Sequence, residues 1–238
     1  GSPSLRAGAS RLCIADSVGH ATPSGAQAIV RFVKRVIDDV GVDAGIDWHG
    51  HRDRGFGVAA SLAALEAGAT RLHGAALGIG ERCGNTPMDL LLVNLAMMGY
   101  IDRSLTTLPD YCRAVSRACD VPISASYPVV GADAFRTATG MHAAAVVKAF
   151  REHDRALMDA VYSSVPASLV GRGQEIEVGS SSGKSNVVFW LERRGLPATD
   201  AVVDRVFAAA RLSSRLLTHE QIQRLIDEAL SSTPLQGI

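Results

Sequence analysis

The sequence predicts an α/β fold: part of a (β/α)8 barrel, followed by a mostly helical appendage. Three observations predict it. Over the first hundred residues a short apolar strand followed by a helix recurs at about thirty residues, the repeat of a βα unit. Each of these helical stretches closes on a glycine, Gly41, Gly68 or Gly99, the residue that best accepts a left-handed C-terminal cap. From about Leu105 onward the rhythm stops, which puts a boundary near Ser104 and divides the chain into a partial barrel (1–104) and helical linker and lid subdomains (105–238).

In chain order, the strands read as Arg11 to Ala15, Gly45 to His49 and Thr70 to Ala76. Between the first two, Ala26, Ile29, Val30, Val33, Val36, Ile37 and Val40 recur at three- and four-residue steps and form one apolar helical stripe. Thr22-Pro23 supplies a cap and a first-turn proline, and Gly41 ends the helix. The next helices are expected at about Gly55 to Ala67 and Pro87 to Met98. Beyond the boundary the pattern predicts an amphipathic stretch from Ala143 to Tyr162 and a turn-rich segment from Ser163 to Gly183. Helices near Thr199 to Leu217 and from His219 to Leu230 follow, the last capped by Thr218. Three consecutive βα units imply parallel strands covered by helices. A complete barrel takes roughly 250 residues by itself, so three strands starting near residue 11 leave an edge that something else must pair.

Composition narrows the function classes. The chain has 238 residues, 47% hydrophobic and 20% charged, enough apolar material for a real core. Lys plus Arg and Asp plus Glu both number 24, so no global field favours nucleic acid or an anionic membrane. The four cysteines, Cys13, Cys83, Cys112 and Cys119, form no CxxC pair, and a reducing cytoplasm is the expected compartment. No apolar run is long enough to span a bilayer, and no basic-then-apolar leader opens the chain. Gly1-Ser2 reads as a cloning remnant.

Chemistry concentrates at two strand ends. In Asp47-Trp48-His49-Gly50-His51-Arg52-Asp53, residues two apart on a strand share a face, so His49 and His51 can converge on one ion at the C-terminal rim where barrel sites lie. Two histidines at a strand end serve equally as surface or core residues. Gly78-Ile79-Gly80-Glu81-Arg82-Cys83-Gly84-Asn85 follows the third strand. Its glycines permit close ligand approach, and Asn85 offers a neutral oxygen beside the histidine pair; a plain βα turn would look similar. Gly179 to Ser185 imitates a P-loop but has three residues between its glycines where four are needed.

At these residues the chain resembles the 2-isopropylmalate, homocitrate and citramalate synthase family. The resemblance also covers Asp16-Ser17-Val18-Gly19 with Thr22-Pro23, Pro128 to Phe135, Thr139 to His142, and Tyr162 with Val170-Gly171-Arg172, in family order from about residue 10 to 195. It implies that His49, His51 and Asn85 are ligands of a divalent ion, Zn, Mn or Mg. It further implies that Ser17, Gly80 and Glu81 contact substrate, with Glu81 and Arg82 either orienting it or bracing the loop. His142 is implied as general base and Tyr162 as its polar partner near the thioester, often over a neighbouring protomer's barrel. Arg52 stands where the family has an asparagine, which puts the hydrogen bonding around the ligands in doubt. His20, His73, His153 and His219 have no motif support and read as structural.

The implied activity is an acyltransferase reaction, a Claisen-type condensation of acetyl-CoA with a 2-oxo acid. The family's first-strand aspartate, arginine and glutamate are missing, so the chain corresponds to the last three βα units plus the appendage. Strands one to five are expected on a small partner chain, in a heterotetramer that is a dimer of heterodimers. Neither a regulatory domain after the appendage nor leucine feedback is expected. Aldol cleavage on the same barrel and a non-catalytic assembly subunit are the rival readings.

Overall fold

The computed structural model describes residues 2–152 and 154–231; His153 lies outside the described residues. Two compact units divide the chain, Gly1–Ile123 and Ser124–Ile238.

In the first unit a short helix, α1 (Ser2–Arg6), precedes three βα units: β1 (Arg11–Asp16), α2 (Pro23–Val40), β2 (Gly45–Gly50), α3 (Gly57–Glu66), β3 (Arg71–Leu72) and α4 (Met88–Met97). The α2 ends follow their sequence signals. Thr22 Oγ1 accepts from the Gly25 amide at 3.1 Å, and Gly41 closes the helix at φ +73°. The strands run parallel in the order β1-β2-β3, with Ala15 opposite His49 and Asp47 opposite Arg71. The third strand is shorter than expected. Past Leu72, His73 makes one further bond to the Trp48 carbonyl, Gly74 passes so close to Met88 that a Cβ would lie 3.0 Å from it, and Ala76–Gly78 turns as a 3-10 helix.

The two faces of this sheet differ. Ile46 and Trp48, with the partly buried Leu12, Ile14 and Leu72, pack against Ala26, Val30 and Ile37 of α2 and Ala60 and Ala64 of α3. The alternate residues form a polar face. Arg11 donates through Nε to Asp47 at 2.7 Å and through Nη2 to both Asp47 and Thr70, while Arg71 and His73 approach the other Asp47 oxygen at 3.5 and 3.6 Å. The Arg11 hydrogen bond is the main reason the Asp47 carboxyl is held below the usual aspartate range.

A further helix, α5 (Leu108–Cys119), packs on the Ala76–Gly78 turn and buries Cys112, so the first compact unit runs past Ser104 to Ile123. Burial, with Asp89 nearby, pushes the Cys112 thiol up to about 12.

The second unit holds α6 (Gly140–Arg151), α7 (Arg155–Ala160), α8 (Lys184–Glu192), α9 (Asp200–Leu212) and α10 (His219–Ser231), with a two-stranded parallel sheet, β4 (Arg136–Thr137) beside β5 (Glu175–Ile176). The stretch Ala143 to Tyr162 is two helices: Asp154 accepts from the Leu157 amide and starts a new one. The helix from Asp200 stops at Leu212 because Ser213 turns extended and its hydroxyl bonds the Arg215 carbonyl. Trp190, Leu191, Val202, Val206, Ile222 and Ile226 form the main core of this unit. The P-loop-like turn is a brace. Ser182 Oγ donates to the Ala138 carbonyl at 2.7 Å, and the Gly183 amide donates to Asn186 Oδ1 at the start of α8. Among the described residues no helix is long and apolar enough to cross a membrane.

Ile46, 3% exposed between sheet and helices, tests this layering: Ile46→Ala should cost about 2–5 kcal/mol of unfolding free energy in a denaturant titration, and an unchanged midpoint would contradict the packing.

Candidate metal and substrate site

The C-terminal ends of β1, β2 and β3 carry three loops, and backbone pairing locks the second to the third. The Arg52 amide donates to the Gly84 carbonyl at 3.1 Å and the Thr86 amide to the Gly50 carbonyl at 3.0 Å. These two bonds flank His51 and Asn85, which stand opposite one another in an antiparallel bridge. Directly opposed residues place their Cβ atoms about 4.5–5.5 Å apart on one face, so the bridge sets the imidazole beside the carboxamide. Buried Thr86 anchors it from below, its hydroxyl within 3.2 Å of the Gly50 and Gly57 carbonyls and 3.0 Å of Ser61 Oγ.

His49 enters from the same side of β2. Its ring lies 5.4 Å from that of His51, edge to face, and 5.7 Å from that of His73. Burial, then the neighbouring His51 and His73, lowers the His49 pKa and so favours its neutral ring. His51 is buried and its Nδ1 has no hydrogen-bond partner. Asn85 donates through Nδ2 to the Ile79 carbonyl at 3.2 Å, which leaves Oδ1 buried and also without a partner. Buried polar atoms are nearly always satisfied. With His51 Nδ1 unprotonated, these two unpartnered atoms on one bridge suit an electron-pair acceptor: a cation. Among the described residues no group of three or more His, Cys, Asp and Glu side chains is arranged to hold a metal; the donor set here is two imidazoles and an amide oxygen.

The HMGL-like family profile matches residues 4–115, the segment that carries this rim. This segment is similar to HMGL-like domains. A homocitrate synthase AksA of Methanopyrus kandleri is 31% identical over 94% of the chain and 54% of its own length. A proposed (R)-citramalate synthase CimA of Methanoculleus marisnigri is 34% identical over 84% of the chain and 37% of its own length. Among solved structures, an HMG-CoA lyase of Bacillus subtilis aligns with a TM-score of 0.44 and 23% identity over 50% of this chain and 41% of that one. The chain thus spans roughly a third to a half of the curated relatives it matches.

The remaining sequence-predicted residues of this segment fall around the bridge. Gly80 is exposed, and a Cβ there would lie 2.1 Å from Asn85 Nδ2, so its small size keeps the carboxamide in place. The Glu81 side chain is 86% exposed and 3.8 Å from Arg82. Ser17 is exposed, and its carbonyl accepts from Arg82 at 2.6 Å. Arg52 ties the second loop to the third, donating through Nε to the Cys83 carbonyl at 2.6 Å. Sequence reasoning missed the place of His73. It read as structural, yet it stands level with His49 and bridges toward Asp47; the signal available was its two-residue spacing from Arg71 on the polar face.

In the second unit His142 and Tyr162 come together. Their rings stack with centroids 4.2 Å apart, both side chains are exposed, and Tyr162 adopts φ +57°. A bulky side chain rarely takes that conformation, and such strain clusters at functional positions. Arg172 donates to the carbonyls of Gly131 at 2.6 Å and Ala132 at 3.2 Å, joining two of the segments that carry the family resemblance.

Gly80→Ala should displace the Asn85 carboxamide and weaken Zn²⁺ binding about tenfold or more, with the far-ultraviolet spectrum unchanged. Wild-type affinity in that variant would remove Asn85 from the ligand set.

Proposed function

We propose that this chain supplies the metal-binding and proton-transfer groups of an acyl-CoA:2-oxo acid condensation, in which acetyl-CoA and a 2-oxo acid give a 2-hydroxy diacid and free CoA. The observation that carries it is the pair of buried, partnerless acceptors, His51 Nδ1 and Asn85 Oδ1, beside His49. These three residues fit a divalent ion, Zn, Mn or Mg, which when bound would act as a Lewis acid on the 2-oxo group. The names of the citramalate and homocitrate synthases that the chain matches support the reaction class.

The chain's own residues take the other roles. His142, exposed and stacked on Tyr162, is the base that removes a proton from the acyl methyl; geometry and access decide whether a base acts. The carbanion so formed bonds to C2 of the 2-oxo acid, whose oxygen takes up a proton and becomes the hydroxyl. Water then cleaves the thioester, leaving a carboxylate and CoA thiol. Tyr162 orients the imidazole and offers its phenol to the thioester oxygen. The Ser17 hydroxyl donates to the substrate carboxylate, Gly80 lets the substrate approach the loop backbone, and Glu81 steers it at the rim.

The barrel in this proposal is closed by a small partner polypeptide carrying strands one to five, in a dimer of such pairs. Both outer strands of the sheet, β1 and β3, have one unpaired edge among the described residues. Apolar surface is exposed in the same unit: Ile29 and Phe32 of α2 are 40% and 52% exposed, and a cavity of about 310 Å³ beside β3 is lined by Leu72, Leu91, Leu95, Tyr100 and Ile101. Open edges and exposed apolar surface call for further βα units.

The test is to co-produce the chain with such a partner and measure thiol release from acetyl-CoA across a panel of 2-oxo acids. Thiol release should depend on the 2-oxo acid, vanish with His49→Ala, and fall about 10²–10⁴-fold with His142→Ala. Cleavage of a hydroxy-oxo acid without thiol release, or activity untouched by either change, would overturn the proposal.

A further inference from the structure

We propose that Arg82 is a positioning residue, a clasp that ties the three rim loops into one frame and so sets the His51–Asn85 spacing; the inference rests on the metal reading above. Arg82 Nε and Nη2 donate to the two Asp53 oxygens at 2.8 and 3.2 Å, and Nη2 also donates to the Ser17 carbonyl at 2.6 Å. Ser17 belongs to the loop after β1, Asp53 lies two residues past His51, and Arg82 three before Asn85. One guanidinium therefore joins all three loops, with a fork that a lysine cannot reproduce.

The loops are built to meet there. A Cβ on Gly19 would lie 2.6 Å from the Asp53 amide nitrogen and 2.8 Å from the His51 carbonyl oxygen, so the first loop lies directly on the backbone that carries His51. Gly19 holds φ +59° and Arg82 φ +56°; only the glycine accepts that region freely.

The clasp also sits where it contributes little to folding. The Arg82 and Asp53 side chains are 41% and 27% exposed, and surface ion pairs add little stability. The buried Thr86 anchor and the Arg52–Cys83 bond hold the second and third loops together without it. Removing the clasp should therefore loosen the ligand geometry and leave the fold intact.

The experiment is calorimetric titration of the full chain with Zn²⁺ alone, beside thermal unfolding in metal-free buffer. The wild type should bind, and His51→Ala should abolish binding. Arg82→Gln and Asp53→Asn should each weaken Zn²⁺ about 10–100-fold, with the double variant no weaker than either single one. Arg82→Lys should recover only part of the loss, and every metal-free unfolding midpoint should match the wild type. Wild-type affinity in Arg82→Gln, or a loss mirrored by a lowered midpoint, overturns the clasp and leaves the metal reading standing. A folded wild type that binds no Zn²⁺, or binding that survives His51→Ala, overturns the metal reading and the clasp with it.

Discussion

The pair of backbone hydrogen bonds between residues 50–52 and 84–86 is the constraint on which the site depends. A parallel sheet delivers strand ends side by side, but it does not by itself turn two successive loops toward each other. Here the second and third loops run antiparallel for one bridge above the parallel strands, and that bridge puts an imidazole across from a carboxamide. Each then keeps one buried acceptor unused. Leaving such atoms bare is costly in a folded chain, so the arrangement makes sense where a ligand repays it.

Below the rim, the polar face of the sheet extends the same logic. Asp47 gathers Arg11, Arg71 and His73, and His73 reaches up to His49. A parallel sheet covered on both sides by its own helices would carry apolar residues at these positions. This face carries charge instead, and the Asp47 cluster pairs those charges within the face itself. The apolar face, by contrast, is already complete against α2 and α3.

Much of this was legible from sequence, for local reasons. The α2 helix could be read at both ends because Thr22, Pro23 and Gly41 each act through their own backbone. His49 and His51 could be paired because strand alternation is geometric. Asn85 was named from its place in the glycine-rich loop and from the family resemblance, and its bridge to His51 depends on contacts across more than thirty positions that no local pattern encodes. The same holds for His73 and the Arg82 fork, whose meaning appears only once β3 lies beside β2 and three loops converge. The new helix that Asp154 starts was hidden inside an unbroken apolar periodicity, and the α5 helix escaped because its partner surface, the Ala76–Gly78 turn, is itself irregular.

The central claim is that His49, His51 and Asn85 share one cation, and the most direct measurement is X-ray absorption at the zinc edge of the Zn²⁺-loaded chain. The account predicts a shell of nitrogen and oxygen neighbours with the outer scattering of two imidazole rings, reduced to one ring in His49→Ala. A shell dominated by sulfur, or one without imidazole scattering, would contradict it.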